Sequence, residues 1–371
     1  MKIFITIIAL FAATVCFGQM AKLGICGAEG DGSNLTWNLD DEGVLTISGT
    51  GAMMDYSYAH LGDHNYITTA PWAKHVLSLK SIVIKRGITY IGKYAFAYCN
   101  SFTGSLIIPN SVQTIGEAAF FYCRGFTGSL TIPNSVVTIE AYAFSYCNGF
   151  TGKLTIPNSV EIIGEQAFAY CSGLTGRLTI PNSVKTIRVG AFYYCSGFKG
   201  GLTIGNSVVT IGEQAFAYCG GLTGKLTIPN SVKTIEVGAF YYCSGFKGGL
   251  TIGNSVVTIG EQAFVYCSGL TGSLTIPNSV VTIGDYAFSY CSGFTGSLTI
   301  GNSVEIIGAA FHESSGFTNI VSKSVIPPAL TVDNFFYSVN KTIPVYVPAN
   351  AATYYKAAEG WKEFTNIVSI Y

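Results

Sequence analysis

The chain has 371 residues with 20 acidic and 20 basic side chains, and only 11% of its residues are charged. Zero net charge disfavours a nucleic-acid surface, which needs clustered Lys and Arg, and provides no attraction to anionic membranes. Length alone would suggest two or three domains, but 44 glycines and 49% hydrophobic residues fit a repetitive structure with tight corners.

Residues 1–18 have the pattern of a secretory signal peptide. Lys2 supplies a positive start, and the apolar run after it is too short to span a bilayer. We place cleavage after Gly18. A lipid anchor at Cys16 is disfavoured, because Val15 stands where a small residue is expected. No later stretch is long and apolar enough for a transmembrane segment, so the sequence predicts a secreted or outer-surface protein.

Residues 19–79 are predicted to form an N-terminal β cap, because they do not follow the period that comes after them. The segments 34–38 and 43–48 alternate apolar and polar residues, as half-buried strands do. An open stack of repeats would expose apolar side chains and strand edges, so it needs covered ends. We expect Trp37 and Trp72 to cover the first turn.

A 24-residue phrase recurs between residues 80 and 317, and it dominates the chain. Nine cysteines mark the period, each with a phenylalanine three positions before it: Cys99, Cys123, Cys147, Cys171, Cys195, Cys219, Cys243, Cys267 and Cys291. Strict self-similarity at such a period is typical of a solenoid. Residues 80–317 are therefore predicted to form one stack of turns and not several globular domains.

Each turn has the same predicted local structure. Leu130, Thr131 and Ile132 and their copies form a short strand with Leu and Ile inward and Thr outward. Pro-Asn-Ser or Gly-Asn-Ser then turns the chain. The segment 143–147 is predicted as a short helical or 3₁₀ turn with Phe and Cys inside. The fold class is α/β: a curved parallel sheet of about ten turns, with the helical turns on the convex side and a cap at each end.

The array contains a nearly intact duplication. Leu178–Lys225 and Leu226–Ser273 are 48-residue copies that differ at four positions. A unique catalytic pocket is hard to reconcile with this, because a duplicated segment carries every wall of the site twice.

Residues 318–371 are predicted to form the C-terminal cap. The segments 343–348 and 366–370 are strand-like, with a helix-prone stretch between them. We expect Trp361 and Phe364 to seal the last turn.

One turn carries a distinctive pattern at Leu178, Ile180, Pro181, Val184, Ile187, Ala191, Phe192, Cys195 and Phe198. With this pattern the repeat resembles the BspA-like (treponemal-type) leucine-rich repeat family of bacterial surface proteins. In three turns Glu140, Arg188 and Glu236 replace the family's glycine, and an extra residue lengthens the usual period. The resemblance implies a leucine-rich-repeat solenoid and an adhesin that binds host matrix proteins or other cells.

The cysteine column has two chemical interpretations. Cysteines in neighbouring turns would lie within disulfide range, and a secreted protein permits disulfides. However, parallel side chains in a column point the same way, and every interior thiol has two equivalent neighbours. We favour buried free thiols that act as small hydrophobes. Zinc is disfavoured because no Cys-x-x-Cys occurs, and we predict neither a metal nor a cofactor.

The first candidate binding surface is an aromatic stripe. A tyrosine precedes each repeat cysteine and should lie off the inner face, where its rigid ring and hydroxyl suit recognition. The alternative is that each ring lies flat over the next turn as part of the core. The candidates are Tyr122, Tyr146, Tyr170, Tyr194, Tyr218, Tyr242, Tyr266 and Tyr290, with Tyr98 before them.

The second candidate surface is a threonine column on the concave face, the usual binding surface of solenoids. Threonine also simply suits an exposed strand position. Ice binding is disfavoured, because one column on a curved face is predicted. The candidates are Thr131, Lys153, Thr155, Arg177, Thr179, Thr203, Lys225, Thr227, Thr251, Thr275 and Thr299.

Signals for an enzyme are weak. The pair His60 and His64 has i, i+4 spacing, but Gly62 between them argues against a helix that presents both to a metal. No nucleophile elbow, phosphate-binding loop or dinucleotide fingerprint occurs. The sequence therefore predicts no catalytic residues.

The sequence favours a non-enzymatic, secreted or surface-displayed protein that recognises matrix proteins, glycoproteins or other cells through many weak contacts. A structural scaffold without a ligand is the alternative, and a hydrolase in the N-terminal cap is a weaker one. We expect an extracellular protein or glycoprotein partner and no nucleic acid. The residues specify neither the ligand nor the oligomeric state.

Overall fold

The computed structural model describes residues 22–61, 66–331 and 336–370. The predicted signal peptide, with Cys16 and its cleavage site, lies outside this part of the chain, and so does His64 of the proposed histidine pair. Within the described ranges, no helix is long and apolar enough to cross a membrane.

The N-terminal part is an antiparallel β-meander that leads into parallel pairing. Its elements are β1 (Leu23–Ile25), β2 (Leu35–Leu39), β3 (Val44–Gly49), β4 (Gly51–Ala52), β5 (Tyr58–His60), β6 (Tyr66–Thr68), a 3₁₀ helix (Ala73–Ser78), β7 (Ser81–Ile84) and β8 (Ile88–Ile91). β1, β2 and β3 pair antiparallel, and β7 adds to β3 in parallel. The strands predicted at 34–38 and 43–48 are β2 and β3, shifted by one residue.

Each later turn contributes two short strands. In chain order they are β9 (Thr114–Ile115), β10 (Leu130–Thr131), β11 (Thr138–Ile139), β12 (Leu154–Thr155), β13 (Ile162–Ile163), β14 (Leu178–Thr179), β15 (Thr186–Ile187), β16 (Leu202–Thr203), β17 (Thr210–Ile211), β18 (Leu226–Thr227), β19 (Thr234–Ile235), β20 (Leu250–Thr251), β21 (Thr258–Ile259), β22 (Gly272–Thr275), β23 (Thr282–Ile283), β24 (Phe294–Ile300) and β25 (Ile306–Ile307). We call the even-numbered strands β10–β24 the Leu-Thr strands and the odd-numbered strands β9–β25 the Thr-Ile strands.

The C-terminal elements continue both sets of strands. They are β26 (Asn319–Ser322), β27 (Ala329–Leu330), β28 (Val345–Pro348), helix α1 (Ala352–Ala357), a 3₁₀ helix (Trp361–Glu363) and β29 (Ile367–Ile370). β27 pairs with the last Thr-Ile strand, while β26, β28 and β29 extend the sheet of β22 and β24 in parallel.

One continuous parallel sheet runs along the solenoid, and it is built from the Thr-Ile strands. Its twelve strands run from β4 through β8 and β9 to β27, and Ile139 pairs in register with Ile115 and Ile163. The parallel solenoid is confirmed. The predicted position of the sheet, through the Leu-Thr-Ile segments, is wrong. There are about twelve turns and not ten, because segments outside the repeated phrase add a strand at each end.

The Leu-Thr strands pair mostly two by two: β10 with β12, β14 with β16, and β18 with β20. In the last two pairs a Pro turn precedes a Gly turn. A Cβ at Gly205 would lie 2.3 Å from the carbonyl oxygen of Pro181, so only glycine permits this approach. Pro229 occupies the same position one turn later, and β18, which leads into it, does not pair with β16. The 48-residue duplication therefore repeats as a structural unit of two turns.

The core is a column of stacked phenylalanine rings. Phe120 and Phe144 lie with centroids 5.3 Å apart and planes within 6°, and Phe192 stacks between Phe168 at 5.4 Å and Phe216 at 5.5 Å. All five side chains are fully buried. The predicted vertical register of the repeats is confirmed.

Aromatic residues cover both ends of this column. The Trp72 ring stacks on Phe96 at 5.2 Å, and its indole Nε1 donates to the Ala95 carbonyl oxygen. At the other end the column continues through Phe336, against which Trp361 lies edge-on at 5.3 Å and Phe364 at 4.9 Å. These contacts exclude water from the terminal rings, as an end cap must.

The segment between Phe and Cys is not the helical or 3₁₀ turn that we predicted. Within the described repeats it consists of consecutive tight turns, in which alternate N–H groups bond to different partners. Phe192 and Tyr194 donate to carbonyl groups of the next turn, at 2.8 Å each, whereas Cys195 donates back to Phe192 at 3.2 Å. Tyr194 has a φ of 58°. This left-handed residue interrupts any helix, and the inter-turn bonds replace helical ones.

The ten cysteines of the described chain are free thiols and all are buried, as predicted. The Sγ of Cys123 donates to the carbonyl oxygen of Phe96 at 2.9 Å. Each of the next seven repeat cysteines likewise donates to the carbonyl oxygen of the phenylalanine in the preceding turn. Ser314, which replaces cysteine in the shortened last turn, donates to Phe288 at 2.7 Å. The column therefore supplies one inter-turn hydrogen bond per turn.

We expect a thiol reagent to detect about ten cysteines in residues 19–371 under denaturing conditions and almost none in the native protein at pH 8. Burial raises the pKa of Cys171, Cys219 and Cys291 to about 12, so the reactive thiolate is scarce in the folded state. Titration with and without denaturant measures this difference. Fewer than two reactive thiols in denaturant would contradict the reduced column.

Candidate binding surfaces

The tyrosines that precede the repeat cysteines form one line of rings along a flank of the solenoid. We call this line the tyrosine stripe: Tyr98, Tyr122, Tyr146, Tyr170, Tyr194, Tyr218, Tyr242, Tyr266 and Tyr290. Neighbouring centroids lie 4.2–5.6 Å apart. Tyr194, Tyr242 and Tyr290 are 44%, 39% and 39% exposed, and the others are half-buried. Each ring therefore packs against its neighbours and also presents an edge to solvent.

The nine tyrosines of the stripe share one left-handed backbone conformation. All nine tyrosines have φ between 56° and 63°, a conformation that costs an L-residue about 1–2 kcal/mol and that ring stacking offsets in part. Burial raises the pKa of Tyr146 to about 12, and the neighbouring Tyr170 hydroxyl adds to this effect. The hydroxyl of Tyr146 is therefore neutral at physiological pH and serves as both donor and acceptor.

The tyrosine stripe widens into a cleft at its N-terminal end. This open cleft of about 260 Å³ is lined by Tyr58, Tyr94, Tyr98, Ala118, Phe121, Tyr142, Tyr146 and Gln166. At the other end His312 lies 5.7 Å from Tyr290 and stacks on Tyr337 at 4.8 Å. Sequence reasoning missed Tyr58, Tyr94 and Tyr142, although tyrosine or glutamine recurs four residues before the stripe in several turns.

The predicted threonine column lies on a second face, which we call the Leu-Thr face: the Leu-Thr strands with the loops that lead into them. Seven of the eight threonines are exposed and Thr299 is half-buried; the exposed ones are Thr131, Thr155, Thr179, Thr203, Thr227, Thr251 and Thr275. Lys153, Arg177 and Lys225, which precede these strands, are also exposed. Because β10–β20 pair two by two and only β22 and β24 join a longer sheet, these threonines do not line the single continuous sheet that we predicted.

A cleft of about 550 Å³ opens on the Leu-Thr face between β16 and β18. Its polar side chains are Arg177, Thr203, Asn206, Thr223, Lys225 and Thr227. The cleft lies where the pairing of the Leu-Thr strands is interrupted. The structure thus brings the predicted residues Arg177, Thr203, Lys225 and Thr227 around one opening.

The Thr-Ile sheet has a smaller cleft of about 300 Å³ that sequence reasoning did not identify. It is lined by Glu165, Thr186, Ile187, Arg188, Val189, Thr210, Gly212 and Glu236. Glu236 Oε2 accepts a hydrogen bond from the Glu213 N–H at 2.9 Å, so this replacement of the repeat glycine links two turns. The departures at Arg188 and Glu236 were the only sequence signal for this place.

The described part of the chain contains no group of three or more His, Cys, Asp and Glu side chains that could hold a metal ion. The thiols are buried, those from Cys123 to Cys291 donate hydrogen bonds to backbone carbonyl groups, and burial raises the pKa of thiols such as Cys171. His60 is exposed, while its sequence partner His64 lies outside the described ranges.

Sequence comparison matches the chain to the BspA type leucine rich repeat region, in six copies, over residues 72–199, 191–318 and 246–356. The chain belongs to the BspA-type leucine-rich repeat family. The match spans both the duplicated turns and the segment that contains Phe336. A comparison with curated proteins finds no match.

Solved leucine-rich repeat structures are similar to this BspA-type chain at low sequence identity. A leucine-rich repeat protein from Bacteroides ovatus is 22% identical, with a TM-score of 0.54 over 91% of this chain and 98% of that one. One from Eubacterium ventriosum is 23% identical, with a TM-score of 0.44 over 77% and 88%. A leucine rich cell surface protein from Faecalibacterium prausnitzii is 22% identical, with a TM-score of 0.38 over 83% and 97%. The Bacteroides likeness shows the fold alone.

Proposed function

We propose that this protein is a non-enzymatic binding protein, secreted or displayed at the outer cell surface, that recognises extracellular proteins or glycoproteins by multivalent contact. The proposal is supported most by the tyrosine stripe, in which nine rings share one backbone conformation and follow one another at 4.2–5.6 Å. Equivalent turns make equivalent sub-sites, and a ligand that spans several of them binds by avidity.

The physical character of the stripe suits recognition. Tyrosine contributes rigid area with little loss of side-chain entropy, together with a hydroxyl that donates and accepts hydrogen bonds. The cleft of about 260 Å³ at Tyr98 and Tyr146 adds a concave place at one end. The predicted signal peptide at residues 1–18 supports secretion, and membership of the BspA-type family supports a surface role. A structural scaffold remains the alternative function.

Removal of two turns is expected to weaken binding by at least roughly tenfold, because avidity rises steeply with the number of simultaneous contacts. The experiment compares residues 19–371 with a variant that lacks residues 226–273, using immobilised matrix proteins, mucins and bacterial cells. The deletion joins Lys225 to Leu274, which is the same kind of junction as Lys225 to Leu226. Absence of binding to every surface would support the scaffold.

Two further variants test whether binding depends on the tyrosine stripe or on the rest of the array. Replacement of Tyr194, Tyr218 and Tyr242 by alanine removes three adjacent rings. Ala118, four residues before the stripe position of its own turn, is an alanine with a similar φ of 51°. The control replaces Val209 and Val257 by alanine, two exposed residues that directly precede the Thr-Ile strands β17 and β21. We expect only the tyrosine variant to lose binding; equal binding by both variants would place recognition elsewhere.

A further inference from the structure

The neutral composition conceals a strong separation of charge between faces. The eight segments that contain the Leu-Thr strands, from residues 124–135 to 292–303, contain six basic residues and no acidic one: Arg124, Lys153, Arg177, Lys199, Lys225 and Lys247. The alternating segments, from residues 112–123 to 304–314, contain three basic residues, Lys185, Arg188 and Lys233, and ten acidic ones: Glu117, Glu140, Glu161, Glu165, Glu213, Glu236, Glu261, Asp285, Glu305 and Glu313.

Five of the six cations lie in five consecutive turns, at Lys153, Arg177, Lys199, Lys225 and Lys247, and all are exposed. Among the described residues none of the five forms an ion pair, although other lysines of the chain do. Since parallel strands are spaced by about 4.8 Å, the face carries one uncompensated positive charge per turn along the axis. The sixth cation lies over a ring of the tyrosine stripe instead.

The cleft between β16 and β18 lies within this basic band. Arg177 and Lys225 stand on its walls and no acidic side chain lines it. Where β14 pairs with β16, backbone N–H groups of one strand bond to the next turn; the Leu178 N–H, for example, donates to the Gly201 carbonyl oxygen at 3.2 Å. Across the cleft β16 and β18 do not pair within the described chain, so their facing edges offer backbone donors beside the two cations. Such a place suits a carboxylate or a sulfate.

We infer that the Leu-Thr face binds an extended acidic polysaccharide along the solenoid axis, with one anionic group seated in the cleft between Arg177 and Lys225. The threonine column supplies hydroxyl groups that can hydrogen-bond to sugar hydroxyls. A nucleic acid fits less well, because single-stranded recognition uses aromatic platforms, and the aromatic rings line the other flank. This inference rests on the proposed function, since it names a ligand class for an extracellular binding protein.

The test measures the affinity of residues 19–371 for dextran sulfate, polygalacturonate, neutral dextran and duplex DNA at physiological salt. We expect binding to dextran sulfate, to polygalacturonate or to both, and none to neutral dextran, whose backbone matches that of dextran sulfate. The two acidic polymers distinguish sulfate from carboxylate as the preferred group. Duplex DNA bound as tightly as the better acidic polysaccharide would overturn the inference, and so would no binding to either polymer.

Two double variants that have the same net charge as each other test the position of the site. Arg177→Gln with Lys225→Gln removes two charges from the cleft, and Lys185→Gln with Lys233→Gln removes two exposed charges from the opposite segments. We expect the first variant to bind the acidic polysaccharide roughly tenfold more weakly and the second to bind it nearly unchanged. Equal losses would mean that only net charge matters and would overturn the inference.

The two proposals fail in different ways. If the protein and its cleft variant bind the matrix proteins or mucins equally well but neither binds an acidic polysaccharide, only the inference about the Leu-Thr face is wrong. If residues 19–371 bind none of the surfaces and none of the polymers, the proposed binding function is wrong as well.

Discussion

Replacement of Phe192 by alanine is expected to lower the free energy of unfolding by about 3–5 kcal/mol. The ring is fully buried and stacks between Phe168 and Phe216 at 5.4 and 5.5 Å. Its removal takes away apolar contacts on both faces and leaves a cavity, and the hydrogen bonds between turns limit the collapse of the neighbours into it. Urea denaturation followed by circular dichroism measures the change.

The matched control for this experiment is Val209→Ala. Val209 lies one turn away on the outer surface and is 39% exposed, so its truncation should cost less than about 1 kcal/mol. A comparable loss of stability in both variants would mean that the stacked column does not dominate the core.

Gly221→Ala is expected to destabilise the protein on the order of 3 kcal/mol, a large effect for a single methyl group. A Cβ at Gly221 would lie 2.3 Å from the carbonyl oxygens of both Phe198 and Ser196. These atoms belong to the backbone of the preceding turn, so they cannot rotate away. The two turns must separate, which also strains the Phe stack and the thiol hydrogen bonds beside it.

The adjacent Gly220→Ala is the control, since it adds the same atom one residue earlier. The nearest heavy atom to a Cβ at Gly220 would be 3.5 Å away, an ordinary contact. The second copy of the 48-residue duplication has Ser268 at this position, so a side chain is tolerated there. We expect a change within about 0.5 kcal/mol. Thermal unfolding of the two variants side by side measures the difference, and equal midpoints would contradict the close approach of successive turns.

Several features of the candidate surfaces could be predicted from one turn of sequence. The alternation of Leu130, Thr131 and Ile132 placed Thr131 outside, because strand side chains alternate between faces. The three-residue separation of Phe144 and Cys147 indicated two inward side chains. The local backbone was predicted incorrectly, since neither residue reveals that the tyrosine between them adopts a left-handed φ.

The arrangement of the sheet required more than one turn. Thr138 and Ile139 carry a weaker strand pattern than the Leu-Thr-Ile phrase, yet their strands form the continuous sheet. Strand pairing depends on how closely the adjacent turns approach, and no single residue of the phrase sets that approach. Glycine at 205 allows close contact with Pro181, yet β10 pairs with β12 although a proline follows both strands. Likewise, zero net charge disfavoured a nucleic-acid surface and an attraction to anionic membranes on the assumption that charges are mixed, whereas basic and acidic residues fall in alternating segments of the turns.

The sequence by itself determined the period, the register of equivalent residues, the buried Phe and Cys columns and the position of the aromatic end covers. These follow from local apolar spacing and from the identity of successive turns. Only the tertiary structure decided which strands join into the long sheet, where the Leu-Thr strands separate, and which charged side chains meet at the cleft between Arg177 and Lys225. Those features depend on distances between backbones of different turns, which the repeated phrase does not encode within any one turn.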